Sequence, residues 1–152
     1  MTVVKVHPRR LGRESVLKAL YALELSDDQP EKILSDIFER EFIDKKTGQF
    51  VTSLFNNSVK YKDWCEKQVS DHLVNWNIDR VALLDRLILQ MAISEIYFLK
   101  DIPPKVSISE AIEIAKRYST DESSGFVNGI LDAVYKSKLA TEQDQLKEEK
   151  EQ

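Results

Sequence analysis

The fold is decided by residues 83–99, which read LLDRLILQMAISEIYFL. In a helix, apolar side chains would cover most of the circumference of this stretch, so other helices must enclose it at the centre of the fold. Polar and charged residues interrupt the run and exclude a membrane-spanning segment: Asp85, Arg86, Gln90, Ser94 and Glu95. Pro103 and Pro104 follow shortly afterwards, and prolines there are expected to end the helix.

The rest of the chain is typical of a small helical protein. Its 152 residues are 42% hydrophobic and 32% charged, with only four glycines and four prolines, which is too few for the many turns of an all-β protein. Apolar residues recur at intervals of three and four, and no alternating run is bounded by hairpin signals. The sequence therefore predicts one all-α domain that buries a core without disulfides or metal.

The apolar periodicity places further helices on both sides of the central one. The first covers about residues 11–25, and Pro30 suits the first turn of the second helix. We expect a loop at 41–49 and then one long helix, whose apolar stripe runs from Val51 to Trp76. Cys65 lies on that stripe, so we interpret it as a core residue rather than a nucleophile.

Local signals suggest where the last two helices begin. Ser107 and Glu110 form a Ser-x-x-Glu capping box, and Ser119 with Glu122 forms a second one, for which Asp121 is a rival cap. The last helix is expected to run to about residue 138. Gly129 lies within it and costs about 1 kcal/mol relative to alanine, so we expect a close approach between helices there.

The sequence divides into three segments. Residues 1–8 form a basic arm, residues 9–138 form the helical domain, and residues 139–152 form an acidic tail that is either disordered or a frayed extension of the last helix. The N-terminus lacks the apolar segment of a signal peptide, and Cys65 is the only cysteine. A reducing, cytoplasmic location is therefore expected.

The basic segment stands out because the whole chain carries a net charge of −4. Residues 5–18 hold five cations against the single acid Glu14, and the cations are Lys5, Arg9, Arg10, Arg13 and Lys18. A local excess of +4 on an acidic protein indicates a candidate site for a polyanion. A solvated arm without a partner is the alternative that charge alone leaves open.

No pattern indicates catalysis, a cofactor or a metal site. His7 and His72 are far apart in sequence, and neither has a Cys, His or Asp at metal-ligand spacing. His72 flanks the stripe of the long helix and is interpreted as a packing residue. The phosphate-binding and nucleophile-elbow motifs of common enzyme folds do not occur.

Phe126 departs from a simple core pattern. It lies about 100° around the helix from Val127, at the margin of the buried stripe. An aromatic at that margin, one turn inside a helix N-terminus, could stack on an unpaired RNA base. Packing at the edge of the core is the structural alternative.

Four stretches, in this order and at this spacing, resemble the bacterial NusB family over about residues 9–136. The first is Arg9-Arg10-Leu11-Gly12-Arg13-Glu14 followed by Ala19-Leu20-Tyr21, and the second runs from Asp85-Arg86 through Ile88-Leu89 to Glu95. The third is Ile102-Pro103-Pro104-Lys105-Val106 with Glu110-Ala111, and the last is Phe126-Val127-Asn128-Gly129-Ile130-Leu131-Asp132. Each motif is weak alone, but together they are specific.

The resemblance implies an all-α fold of about seven helices, packed as two three-helix halves. It implies a non-enzymatic factor that binds single-stranded boxA-type RNA with NusE, a ribosomal protein of the small subunit. That complex supports antitermination by RNA polymerase and ribosomal RNA processing. By the same resemblance, Arg9, Arg10, Arg13 and Phe126 contact RNA, whereas Tyr21 and Asp85 face NusE.

The chain departs from the family pattern at two positions. Leu11 stands where some relatives carry another arginine, and Glu122 adds an acid near the expected RNA face. Both changes should weaken RNA binding by the protein alone. Two other functions remain open: the helical RNA-binding domain of an RNA methyltransferase, although no glycine-rich cofactor domain follows, and a helical adaptor that does not touch RNA.

Overall fold

The computed structural model describes residues 7–74 and 77–151, and these residues form seven α-helices and no strand. The helices are α1 (Pro8–Glu24), α2 (Pro30–Arg40), α3 (Lys45–Lys60), α4 (Lys62–Ser70), α5 (Leu83–Phe98), α6 (Pro104–Tyr118) and α7 (Asp121–Lys150), with a 3₁₀ turn at Ile78–Arg80. The predicted all-α class is therefore confirmed. Among the helices described here, none is long and apolar enough to cross a membrane.

Helix α5 is the central helix, as its apolar circumference predicts. It packs against α1, α3, α4, α6 and α7, while α1–α3 pack together on one side and α6 packs against α7 on the other. Leu87, Ile88, Leu89 and Ile93 are almost completely buried, and each such side chain contributes about 1.5–3 kcal/mol through burial. The fold thus consists of two three-helix halves, α1–α3 and α5–α7, with α4 packed against α5.

The predicted loop at 41–49 is wrong in its second half, because α3 already begins at Lys45. The Asp44 carboxylate accepts hydrogen bonds from the backbone N–H and the hydroxyl of Thr47, at 2.8 and 3.1 Å. These bonds cap the helix N-terminus and hold the pKa of Asp44 below its ordinary value. Sequence polarity alone therefore suggested a loop where a capped helix forms.

The predicted long helix is in fact two helices that meet at Tyr61. The Tyr61 backbone leaves helical geometry there, with φ −104° and ψ 21°, and its ring stacks on Phe98 with centroids 4.0 Å apart. The apolar stripe continues into α4, where Cys65 is fully buried and lies 3.4 Å from the Ser94 hydroxyl. Burial raises the pKa of the Cys65 thiol to about 11, so the expected core role is confirmed. Trp76 lies outside the described residues.

Neither predicted capping box forms. Helix α6 begins at Pro104, so Ser107 and Glu110 lie inside it, and Glu110 binds Arg10 instead. Helix α7 is capped by Thr120, whose hydroxyl accepts the backbone N–H of Ser123 at 3.0 Å, rather than by Ser119 or Asp121. Cap identity depends on where the chain turns, which the Ser-x-x-Glu spacing does not determine.

The close helix approach expected at Gly129 is also wrong, because a Cβ there would meet no atom within 4 Å. The close approach occurs at Gly12 in α1, where a Cβ would lie 3.2 Å from side-chain carbons of both Thr47 and Val51. Gly12 therefore lets α1 approach α3 closely, and it does so between Arg10 and Arg13.

Residues 139–150, which belong to the predicted acidic tail, continue α7 as an exposed helix. Lys138 pairs with Glu142 one turn later, and the Thr141 hydroxyl donates to the Ser137 carbonyl oxygen at 3.0 Å. The Ser137 hydroxyl lies 2.9 Å from Nε2 of His72, and Nδ1 of His72 lies 2.8 Å from the Gln68 carbonyl oxygen. His72 is thus a packing residue between α4 and α7, as expected.

Candidate functional site

The three arginines of the basic segment lie on the first two turns of α1, and we call this surface the arginine face (Arg9, Arg10 and Arg13). Helix α1 begins at Pro8, and His7 accepts the Arg9 backbone N–H at 3.1 Å through Nδ1. The arginines are therefore held on a helix rather than on a free arm. Residues 1–6, including Lys5, lie outside the described residues.

Arg13 is buried and paired with a carboxylate. Its side chain is 5% exposed, and its Nε donates to Oε1 of Glu95 at 2.7 Å, where the Glu95 side chain is 2% exposed. Removing one partner of such a buried pair typically costs about 3–5 kcal/mol, because the other charge is left without compensation. In this arrangement the Arg13 guanidinium is not available to a ligand at the surface.

Arg10 is paired but remains at the surface. Its Nε and one terminal nitrogen donate to the two Glu110 oxygens at 2.6 and 3.0 Å, which is a bidentate pair between α1 and α6. The hydrogen bonds from Arg10 lower the pKa of Glu110, and the same bonds raise the pKa of Arg10. The Arg10 side chain keeps 35% of its surface exposed, so an anion can still approach it.

Arg9 is the least restrained of the three. Its nearest carboxylate oxygen belongs to Asp101 at 3.7 Å, and the two side chains are 36% and 71% exposed. Exposed pairs of this kind contribute only about 0–1 kcal/mol. Arg9 is thus the cation of the arginine face that a phosphate could engage with the smallest competing interaction.

Phe50 of α3 lies beneath the arginine face and connects two of its members. The guanidinium carbons of Arg9 and Arg13 lie 5.0 and 5.2 Å from the centroid of the Phe50 ring, which is cation–π distance. Arg9 and Arg13 are four residues apart and therefore share one side of α1. The ring is only 9% exposed, so it acts as a support rather than as an open surface.

Phe126 and Asp85, expected to serve different ligands, lie in one groove between the N-termini of α5 and α7. We call it the aromatic groove, and the residues that line it are Arg80, Val81, Ala82, Asp85, Thr120, Glu122, Ser123 and Phe126. Phe126 is partly buried and packs against the core at the groove wall. None of the three α1 arginines belongs to this lining, but the exposed Arg80 does.

Asp85 is more buried than a surface contact would be. It is 6% exposed, and its Oδ2 accepts a hydrogen bond from the Ser123 hydroxyl at 3.0 Å. Its Oδ1 is buried without a hydrogen-bond partner among the described residues. Asp85 occupies the first turn of α5, where the helix dipole favours its negative charge.

Tyr21 lies apart from Asp85 in a second groove, which we call the tyrosine groove. Its lining consists of Leu17, Lys18, Tyr21, Leu84 and Tyr118. Tyr21 is 42% exposed, and apart from Lys18 the lining is apolar or aromatic. Because Leu84 lines this groove and Asp85 lines the aromatic groove, the first turn of α5 separates the two surfaces.

The sequence did not indicate the four residues that contact the arginine face, which are Phe50, Glu95, Asp101 and Glu110. Glu95 and Glu110 are 82 and 100 residues from their arginine partners, so no local pattern could have paired them. Phe50 directly precedes the predicted stripe that begins at Val51, and its aromatic character was the only signal. The groups of three or more His, Cys, Asp or Glu side chains that a metal requires are absent among the described residues.

Comparison with known proteins identifies relatives for nearly the whole helical domain. Residues 10–136 match the NusB family. The transcription antitermination protein NusB of Chloroherpeton thalassium is 42% identical over 128 residues, which is 84% of this chain and 61% of that protein. This chain therefore spans about three fifths of the length of that relative.

Solved structures show the same architecture. T. maritima NusB is 40% identical with a TM-score of 0.79, over 87% of this chain and 93% of that one. A structure of the antitermination factors NusB and NusE in complex with dsRNA has a TM-score of 0.78 over 88% of this chain and 99% of that one. At 24% identity, this second likeness shows the fold alone.

Proposed function

Because the chain belongs to the NusB family, we propose that it is a transcription antitermination factor that binds boxA-type RNA together with a NusE-type ribosomal protein. The name of the C. thalassium relative supports the antitermination role, and a protein of the same fold has been solved with NusE and RNA. The complex would act with RNA polymerase in the cytoplasm and support ribosomal RNA transcription and processing. This role is one of binding, without catalysis or a cofactor.

The observation that carries the RNA-binding proposal is the placement of Arg9 and Arg10 at the surface of a helix start. About a third of the surface of each of these two side chains is exposed. Each guanidinium would bind an RNA phosphate either in place of its carboxylate partner or beside it. A planar guanidinium binds a phosphate in the same bidentate way as a carboxylate. Arg13 supports this site without contacting RNA, because its buried pair with Glu95 holds the start of α1 against α5.

Base stacking is assigned to Phe126. Its ring lies in the wall of the aromatic groove, where Arg80 adds a cation and Glu122 adds an anion. A base stacked on an aromatic side chain contributes about 1–3 kcal/mol to binding of single-stranded nucleic acid. Glu122 would repel the neighbouring phosphates, so the groove alone should bind weakly.

The NusE-type partner is assigned to the tyrosine groove. Tyr21 and Leu84 offer an apolar surface, and aromatic residues of this kind often anchor protein interfaces. Asp85 lies on the same first turn of α5 as Leu84 and would pair with a basic residue of the partner. Since Asp85 now accepts a hydrogen bond from Ser123, that pairing would require Ser123 to share the carboxylate.

The test is fluorescence anisotropy of a single-stranded boxA-type RNA at several salt concentrations, with and without a NusE-type protein. The net charge of −4 predicts weak binding by the chain alone and tighter binding once the basic partner is present. The log–log salt slope should be about 0.7 per phosphate contact on a single strand. A duplex of the same sequence serves as the control for single-strand preference.

A helical adaptor without RNA contact is the second function, favoured by the carboxylate partner that each α1 arginine already has. It predicts partner binding with no RNA in the complex at any salt concentration. An RNA methyltransferase domain would instead require a cofactor-binding segment in the same polypeptide. Partner-dependent, salt-sensitive RNA binding would exclude the adaptor.

A further inference from the structure

Phe50 occupies an unusual position for a core aromatic, because two guanidinium groups of the arginine face, those of Arg9 and Arg13, lie over its ring. The Arg9 and Arg13 guanidinium carbons both lie within 5.2 Å of its ring centroid. The close approach of α1 to α3 that creates this contact depends on Gly12, where a Cβ would lie 3.4 Å from Cδ1 of Phe50. Phe50 is thus part of the helix contact that presents the arginine face.

The two arginines on this ring differ in what else holds them. Arg13 has its orientation fixed by the 2.7 Å bond to Glu95 and does not need the ring for that purpose. Arg9 has only the Asp101 oxygen at 3.7 Å, from a side chain that is 71% exposed. The Phe50 ring, from a residue that is 9% exposed, is therefore a more buried contact of the Arg9 guanidinium than Asp101 is.

An ordered guanidinium binds a phosphate more tightly than a free one, because less side-chain entropy is lost on binding. Immobilising a long side chain costs about 0.5–1.5 kcal/mol, and a guanidinium stacked on a ring has already lost much of that freedom. The planar guanidinium can stack and still direct its N–H groups outward, which a lysine ammonium cannot do in the same way.

We propose that Phe50 is the positioning residue that orders Arg9 for phosphate binding, without itself touching the RNA. This inference rests on the proposed RNA-binding function and adds a residue to its site. It explains why an aromatic side chain, rather than an aliphatic one of similar size, faces α1 at the start of the arginine face. It also makes the affinity of an exposed contact depend on a buried residue of another helix.

The test is a double-variant cycle on RNA affinity, measured with the NusE-type partner present. Phe50→Leu should weaken binding about threefold to tenfold, as expected for the loss of a cation–π contact that orders the cation. In an Arg9→Ala background the same Phe50→Leu change should have almost no effect. Phe55→Leu, on the same helix but fully buried, is the matched control for lost core packing and should not weaken RNA binding.

A second variant keeps the test decisive if Phe50→Leu does not fold. Arg9→Lys retains the charge but loses the stacked, planar group, and it should weaken RNA binding about threefold to tenfold. Two outcomes would overturn the role of Phe50 while leaving the proposed function intact. One is that the effects of Phe50→Leu and Arg9→Ala on RNA affinity are additive. The other is that Phe50→Leu and Phe55→Leu lose the same RNA affinity. Absence of RNA binding by the unaltered chain with its partner would overturn the proposed function and this inference together.

Discussion

The arginine face and the aromatic groove are both assigned to RNA, yet their polar groups are organised in opposite ways. On the arginine face each cation has a carboxylate partner supplied by α5, α6 or the loop between them. In the aromatic groove Arg80 is exposed, and a carboxylate oxygen of Asp85 is buried without a hydrogen-bond partner among the described residues. One surface is ordered before any ligand arrives, and the other holds an unsatisfied group.

A charge motif in the sequence therefore indicates where a surface lies but not how much uncompensated charge that surface offers. Residues 5–18 suggest a local charge of +4. In the folded chain, Lys18 pairs with Glu41 and the three arginines pair with acids distant in sequence, so carboxylates already offset part of this positive charge. An RNA phosphate must therefore compete with a carboxylate at each arginine. This competition is weakest at Arg9, stronger at Arg10 and strongest at Arg13.

Removing the buried cation Arg13 should have the largest effect on stability. Arg13→Ala leaves Glu95 buried without compensation, so the free energy of unfolding should fall by about 3–5 kcal/mol. Arg9→Ala is the matched control on the same helix and should cost less than about 1 kcal/mol. Urea unfolding followed by circular dichroism measures both. Equal, small losses would show that the Arg13–Glu95 pair does not organise this face.

A substitution at Asp85 tests the role of its buried carboxylate. Asp85→Asn keeps the shape and the acceptor for Ser123, so the isolated protein should remain folded. If Asp85 pairs with a basic residue of the partner in a desolvated interface, partner affinity should fall by about 2–5 kcal/mol. Calorimetric titration of the NusE-type protein measures the loss, with thermal melting as the control. Full partner affinity with a lowered melting point would restrict Asp85 to stabilising the start of α5.

Phe126 tests whether the aromatic groove binds RNA at all. Phe126→Ala should reduce RNA affinity by about 1–3 kcal/mol through lost stacking. Ile130, one turn further along α7 and 7% exposed, is the matched core position, where alanine should cost about 2–5 kcal/mol of stability. A melting point lowered as much in Phe126→Ala as in Ile130→Ala, with RNA affinity unchanged, would make Phe126 a core residue only.

The smallest expected effect concerns the surface pair Arg10–Glu110 and its pH dependence. Hydrogen bonds from Arg10 lower the pKa of Glu110 below its ordinary value of 4.5. The stabilisation is therefore fully present above pH 4.5 and is lost as the pH falls through the lowered pKa. Glu110→Gln should cost about 1 kcal/mol near neutral pH, and the difference from the unaltered chain should vanish in acid. A pH-independent difference in unfolding free energy would contradict this assignment.

The sequence predicts the elements of this fold better than their ends and partners. The apolar circumference of residues 83–99 correctly indicates the central helix, and the periodicity around it indicates the other helices. The helix break at Tyr61 and the helix caps at Asp44 and Thr120 were not predicted, because they depend on how neighbouring helices pack. The motif around Arg9 and Arg13 locates the candidate site, but pairing with Glu95 and Glu110 is a tertiary event that local spacing does not encode.

We assign Arg9 and Arg10 to contacts with RNA phosphates, whereas Arg13 supports them from the core. The most direct test is the log–log salt slope of RNA binding, measured by fluorescence anisotropy with the NusE-type partner present. Arg9→Ala combined with Arg10→Ala should reduce the slope by about 1.4, since each phosphate contact on a single strand adds about 0.7. Arg13→Lys, which keeps the buried positive charge, should leave the slope unchanged. An unchanged slope in the Arg9 and Arg10 double variant, or a reduced slope in Arg13→Lys, would contradict the account.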